Sequence, residues 1–146
     1  MKRSLRIAAL ATLISVPLPA FADSIHAVMY RDPSCSCCET YAAYLKQNGF
    51  DVEIKPSANL AQVSQGAGVP TSLEGCHTIF VDGYVVEGLV PVAAVQKMLK
   101  ERTAIAGIAL AGMPAGSPGM GGEKTEPLTV YAFDKNGTAP SVYFVE

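Results

Sequence analysis

Three of the four cysteines in this chain stand together, as Cys35-Ser36-Cys37-Cys38. Three thiols in four residues build a core poorly. They also cannot all pair, because a bridge between the neighbours Cys37 and Cys38 is strained. The spacing most easily allows Cys35 to pair with Cys38 as a Cys-X-X-Cys unit, which leaves Cys37 over. The remaining cysteine, Cys76, lies forty-one positions beyond Cys35 and is followed at once by His77. Four thiolates and an imidazole are a soft to borderline donor set, suited to Cu(I) or Zn(II) and poorly suited to Mg or Ca. Met113 and Met120 add two thioethers on an apolar stretch. As ligands they favour copper over zinc; as ordinary methionines they fill gaps or lie exposed. His77 reads either as a hydrogen-bonded histidine or as a ligand or ligand support, and its place beside Cys76 favours the latter.

Three readings of this constellation stand side by side. The first is a copper site built from Cys35, Cys37, Cys38 and Cys76, with His77, Met113 and Met120 around it. The second is a thiol–disulfide oxidoreductase, with Cys35 as nucleophile and Cys38 as resolving thiol. The third is a passive structural zinc or disulfide module. Crowding weighs against a disulfide framework, since small secreted scaffolds spread their cysteines along the chain. Met29 and Met98 read as packing and His26 as a strand-surface residue. Asp82 and Glu87 read as solvating a hairpin.

The elements that must position these residues follow from periodicity. Residues 25–30 form a branched and aromatic run that predicts a strand, which Asp32-Pro33 breaks. From Cys37 the pattern is helical, with Tyr41, Tyr44 and Leu45 on one face and Asn48-Gly49 as the stop. The thiols therefore fall at a helix N-terminus, where unpaired amides and the helix dipole favour a thiolate. Residues 50–54 alternate as a second strand. A second helix is predicted from Pro56-Ser57 to about Gln65, capped by Ser57. Residues 78–81 and 84–86 are strands joined by the Asp82-Gly83 hairpin turn, and Pro91 opens a third helix to about Arg102. The Gly-, Ala- and Pro-rich stretch 104–122 predicts a surface loop able to fold over the thiols, and residues 128–145 a terminal hairpin. A strand, a Cys-X-X-Cys, a crossover helix and a parallel second strand make the thioredoxin arrangement. The expected fold is α/β (α+β): a central mixed sheet with flanking helices. In that fold a cis-proline normally precedes the third strand and faces the dithiol. Here the nearest proline is Pro70, so Cys76 and His77 are expected in its place, facing the first helix.

The beginning of the chain bears on compartment. Lys2, Arg3 and Arg6 precede an apolar run from Ile7 to Val16, and Ala20-Phe21-Ala22 closes it. The run is too short to span a bilayer, so residues 1–22 read as a cleaved secretory signal peptide. Residues 23–146 are sized for a single domain with no membrane span. Without the three leader cations, eight basic residues face thirteen acidic ones, a net charge of −5. That balance argues against nucleic acid or an anionic membrane as partner.

Together Cys35-Ser36-Cys37-Cys38, Gly75-Cys76-His77-Thr78, Tyr84-Val85-Val86-Glu87-Gly88 and the run from Gly112 to Met120 resemble the CopG-like copper-resistance proteins, also classed as domain of unknown function 411. The resemblance covers nearly the whole chain after the leader. It implies a periplasmic thioredoxin-like protein that holds a copper cluster through Cys35, Cys37, Cys38 and Cys76, with His77 and the loop methionines nearby. It also implies a part in interconverting Cu(I) and Cu(II) as a copper oxidoreductase, alongside a copper efflux system or a periplasmic copper chaperone. One departure stands out. The family commonly has Glu-Gly-His-Val-Pro where this chain has Glu87-Gly88-Leu89-Val90-Pro91, so Leu89 replaces a donor with an apolar side chain. Ser36 for the more usual glycine is a milder change.

Overall fold

The computed structural model describes residues 24–146; the leader expected over 1–22 lies outside them. The elements are β1 (Ile25–Arg31), α1 (Ser36–Gln47), β2 (Phe50–Pro56), α2 (Leu60–Gly66), a 3-10 turn (Thr71–Leu73), β3 (His77–Val81), β4 (Tyr84–Glu87), α3 (Val92–Glu101), β5 (Gly107–Leu110), β6 (Thr129–Phe133) and β7 (Ser141–Val145). The strands form one mixed sheet in the order β2-β1-β3-β4-β5-β6-β7. β1 runs parallel to β2, and β4 to β5; the remaining neighbours are antiparallel. The parallel pairs are those whose connections carry α1 and α3, as a crossover requires. Asp82 and Gly83 both take positive φ, 48° and 85°, which fits the twist of the tight β3–β4 hairpin.

Two apolar layers enclose the sheet. On one face Tyr41 and Leu45 of α1 and Val95 and Met98 of α3 pack over Met29, Ile79, Val86 and Ile108. On the other, Val69 and Leu73 cover Val85, Ala109 and Phe133. Met29 and Met98 are core residues, while His26 is exposed beside Asp51, all as read from the sequence.

Three expectations are corrected. The stretch 104–122 is not loop throughout, because Gly107–Leu110 forms β5, buried at every residue between β4 and β6. A run of four apolar residues buried on both faces has no period to betray it. The second helix starts at Leu60, not at Pro56-Ser57. Pairing with β1 extends β2 through Pro56, and the N-cap position falls to Asn59, without a side-chain cap bond. The third strand begins at His77 rather than after it, since His77 pairs with Arg31.

Gly107 is where β5 meets its neighbours most closely. A Cβ there would lie 2.2 Å from the Val85 carbonyl oxygen and 2.7 Å from Cζ of Phe133. Backbone cannot yield as a side-chain tip can, so Gly107→Ala is expected to destabilise the fold by about 1–3 kcal/mol or more. Urea unfolding followed by circular dichroism measures it, with Gly121→Ala, whose added Cβ meets nothing within 4 Å, as the neutral control.

Candidate metal centre

The two cysteine arms are joined by strand pairing. β1 ends at Arg31, opposite His77, and the Asp32 N–H donates to the Cys76 carbonyl at 3.1 Å. Cys35 is the N-cap of α1, and its sulfur accepts from the Cys38 N–H at 3.3 Å. Cys37 and Cys38 occupy the first turn of the helix, so all three sulfurs gather at its N-terminus. The four sulfurs of Cys35, Cys37, Cys38 and Cys76 lie within 4.8 Å of one another. Cys76 Sγ is 3.1 Å from Cys35, 3.4 Å from Cys38 and 3.7 Å from Cys37. The expectation that Cys76 and His77 face the first helix is therefore met. Among the described residues no peptide bond is cis.

Cys35 and Cys38 are joined by a disulfide, the pairing their spacing favours, and Cys37 and Cys76 are free. Cys76 stands at nearly equal distances from the two bridged sulfurs, beside the bond rather than in line with it. Burial, reinforced by Cys37, pushes its thiol up to about 12, so it is protonated at neutral pH.

His77 is fully buried. Its Nε2 lies 3.0 Å from the Gly88 carbonyl, which can only accept, so that nitrogen carries the hydrogen. Burial holds the imidazole neutral by lowering its pKa to about 4. The Nδ1 lone pair then faces the sulfurs, 3.4 Å from Cys38 and 3.8 Å from Cys76. The Tyr41 ring packs on the imidazole at 5.1 Å between centroids, and its hydroxyl donates to the Val90 carbonyl. A carbonyl fixing one ring nitrogen so that the other presents its lone pair is how proteins orient histidine ligands.

The sulfurs open into a cleft of about 790 Å³ whose lining includes Cys35, Cys37, Cys76, Glu74 and Met113. Met113 is more than half exposed there. Met120 is not brought to the cleft; it is half-buried against the main core. The loop carrying it does reach α1, for a Cβ on Gly119 would lie 3.0 Å from the Cys37 carbonyl oxygen. Leu89 is wholly buried in the main core and offers no donor.

Two charged residues at the site escaped the sequence. Arg31 folds back under the Cys35 turn. Glu87, expected to solvate a hairpin, is instead fully buried and accepts the Gly75 N–H at 2.7 Å. Asp82 does lie at the hairpin tip, paired with Arg102. The sequence signals for Glu87 were its place at the end of an otherwise apolar strand and its match to the family's Glu-Gly motif.

The profile of the family described as protein of unknown function DUF411 matches residues 73–120, the span holding Cys76, His77 and both loop methionines. Two solved structures of a copper resistance protein CopG, form 1 and form 2, each superpose with a TM-score of 0.77 at 37% identity, covering 84% of this chain and 98% of theirs. The chain belongs to the CopG copper-resistance family. Membership and the sulfur cluster together give the chain a copper-related role. No curated protein sequence matches. No helix among the described residues is long and apolar enough to cross a membrane.

Burial, against the Gly75 N–H and with the help of Glu74, pushes Glu87 up from 4.5 to about 7. Its Oε2 and the Thr78 hydroxyl are both buried and opposite one another in the β3–β4 register, with no partner beyond each other, and Thr78 opposes the rise. A raised pKa means the fold prefers protonated Glu87, so that stabilisation is complete below pH 4.5 and is lost as pH rises through about 7. Glu87→Gln is expected to match wild type at pH 5 and to be more stable at pH 8.5. The shift sets an upper scale on the order of 3 kcal/mol. Urea midpoints at the two pH values test this, and a gain that does not grow with pH would refute it.

Proposed function

We propose that the protein handles copper by taking Cu(I) as cargo on Cys35, Cys37, Cys38 and Cys76 once the Cys35–Cys38 bridge is reduced. The observation that carries this reading is the convergence of four sulfurs within 4.8 Å beside a neutral imidazole whose Nδ1 faces them. Thiolate donors suit Cu(I), and sulfurs this close allow one thiolate to bridge two ions, which supports a multinuclear cluster. His77 is the fifth donor in this reading. Met113, exposed in the same cleft, supplies a thioether that favours copper over zinc, and Met120 follows it on the loop as a weaker candidate. Uptake must displace protons from the thiols, since Cys76 is protonated when free.

The proposal extends to fold and compartment. β2-β1-β3-β4, with α1 and α2 on opposite faces, support reading the first four strands as a thioredoxin-like core in a single domain, 23–146. The leader over residues 1–22 supports export to the periplasm. There the protein would exchange copper with an efflux system or a copper chaperone and interconvert Cu(I) and Cu(II), two Cu(I) ions giving their two electrons to the Cys35–Cys38 bridge or two Cu(II) ions taking them from the dithiol. Leu89 removes a donor that would suit Cu(II), which favours the reduced ion here.

The bridge itself favours a second reading, a thiol–disulfide oxidoreductase using Cys35 and Cys38. Against it, exchange needs a thiolate in line with the sulfur–sulfur bond. Cys76 is broadside and protonated, so it does not open the bridge, and attack on Cys35 or Cys38 must come from a thiolate outside this cluster. Anaerobic Cu(I) titration of the reduced protein, read by native mass spectrometry, separates the two. The expected outcome is more than one copper retained against a mild chelator, with the multinuclear species lost in Cys76→Ser. Strong turnover in insulin reduction with no copper retained would establish the second reading instead.

A further inference from the structure

Arg31 has the contacts of a residue built into the site, although it is not a ligand. Its side chain is 12% exposed. One terminal nitrogen lies 3.1 Å from the Asp32 carbonyl oxygen, 3.2 Å from that of Pro33 and 3.0 Å from that of Cys35. The other donates to Glu39 at 2.6 Å. The adjacent acid, Asp32, is not its partner, being turned to the amide and hydroxyl of Ser34. A turn that points three carbonyl oxygens at one place brings together the negative ends of three dipoles. Something cationic must sit there for the turn to hold. A single guanidinium can meet the carbonyls with one arm of its fork and a carboxylate with the other, which an ammonium cannot do in one orientation. The cost of placing it there is visible: its Nε–H is buried without an acceptor.

The residue this turn delivers is Cys35. Its carbonyl is held by Arg31, and its sulfur is held by the Cys38 N–H 3.3 Å away, so the side chain is fixed from both ends. From that position Cys35 Sγ reaches Cys76 at 3.1 Å and Cys37 at 3.3 Å. We infer that Arg31 is the positioning residue of the Cys35-Ser36-Cys37-Cys38 arm, setting the place of Cys35 through its carbonyl. The inference rests on the copper reading for its biological meaning but not for its test. These contacts are made with the Cys35–Cys38 bridge closed, so they hold Cys35 where it bonds to Cys38. Removing Arg31 lets Cys35 stray from that place and moves the metal-free thiol–disulfide equilibrium away from the bridge.

The test uses Arg31→Met, Arg31→Lys and wild type, each confirmed folded by circular dichroism. In metal-free protein, the Cys35–Cys38 equilibrium is measured in a glutathione buffer by thiol alkylation. Arg31→Met is expected to shift it about tenfold toward the dithiol, the scale of one lost charged hydrogen bond. Arg31→Lys, which keeps the charge and loses the fork, is expected to fall between, about threefold from wild type. Cu(I) affinity by chelator competition is expected to fall in the same order. An Arg31→Met protein within twofold of wild type in either measurement overturns the inference while leaving the copper reading intact. Wild type that retains no Cu(I) defeats the copper reading, and the glutathione equilibrium then decides the inference alone. If Arg31→Met does not fold, Arg31→Lys decides: equality with wild type overturns the inference, and an intermediate shift supports it.

Discussion

The antiparallel pairing of β1 with β3 is the constraint on which the sulfur site depends. The register runs from Ala27 opposite Val81 to Arg31 opposite His77, and the Asp32 N–H extends it by one bond to Cys76. Forty-one positions of sequence separation between Cys35 and Cys76 are closed by this ladder and by nothing local. The pairing also decides which side chain meets the thiols. Strand side chains alternate between faces, so a slip of one residue would turn His77 to the α2 side and bring Thr78 to the sulfurs. Ile79 and Val81, on the same face as His77, are buried under α1 and α3 and hold that register through the hydrophobic effect. The core thus aims the imidazole.

Burial has opposite consequences for the groups around the site, and their sum sets its protonation. His77 is kept neutral, Cys76 is kept protonated, and Glu87 is drawn toward its acid form. Each shift has burial as its largest cause, and each pushes the metal-free site toward zero charge. The Cys76–His77 arm therefore rests as a neutral assembly and ionises only when a cation enters to compensate. The CxCC arm differs. It lies at a helix N-terminus, a setting that favours anions. The two arms differ in electrostatic character, yet Cys37 of one and Cys76 of the other line the same cleft.

How much of this could be read from the chain divides along physical lines. β1, α1, β2 and the Asp82-Gly83 hairpin were legible because each carries its own period or turn chemistry. The convergence of Cys35, Cys37, Cys38, Cys76 and His77 was legible because the order of elements fixes where a residue just before the third strand must lie. β5 was not legible, because Gly107-Ile108-Ala109-Leu110 is buried on both faces and its strand character comes from its neighbours β4 and β6. Ser57 misled for a related reason: a good capping residue is overruled when strand pairing carries β2 through Pro56. Arg31 and Glu87 were invisible as site residues because composition places both on the surface. Their burial exists only once the turn at 32–35 and the amide of Gly75 need partners of opposite polarity.

Cys37 is the residue that neither a redox dithiol nor a structural bridge explains. With Cys35 and Cys38 joined, the free sulfurs are Cys37 and Cys76, 3.7 Å apart and facing the same cleft. A chain built only for disulfide exchange gains nothing from two additional thiols at that distance, and risks scrambling through them. A chain built to hold soft metal gains a ligand pair that survives oxidation of the other two. The close seating of Gly119 against the Cys37 carbonyl follows the same logic, since a side chain there would displace either the loop or the first turn of α1. The loop from Gly112 to Met120 is therefore fitted to the arm that carries the unpaired thiol. On the copper reading, Cys37 is the sulfur that makes the difference between a redox fold and a metal site.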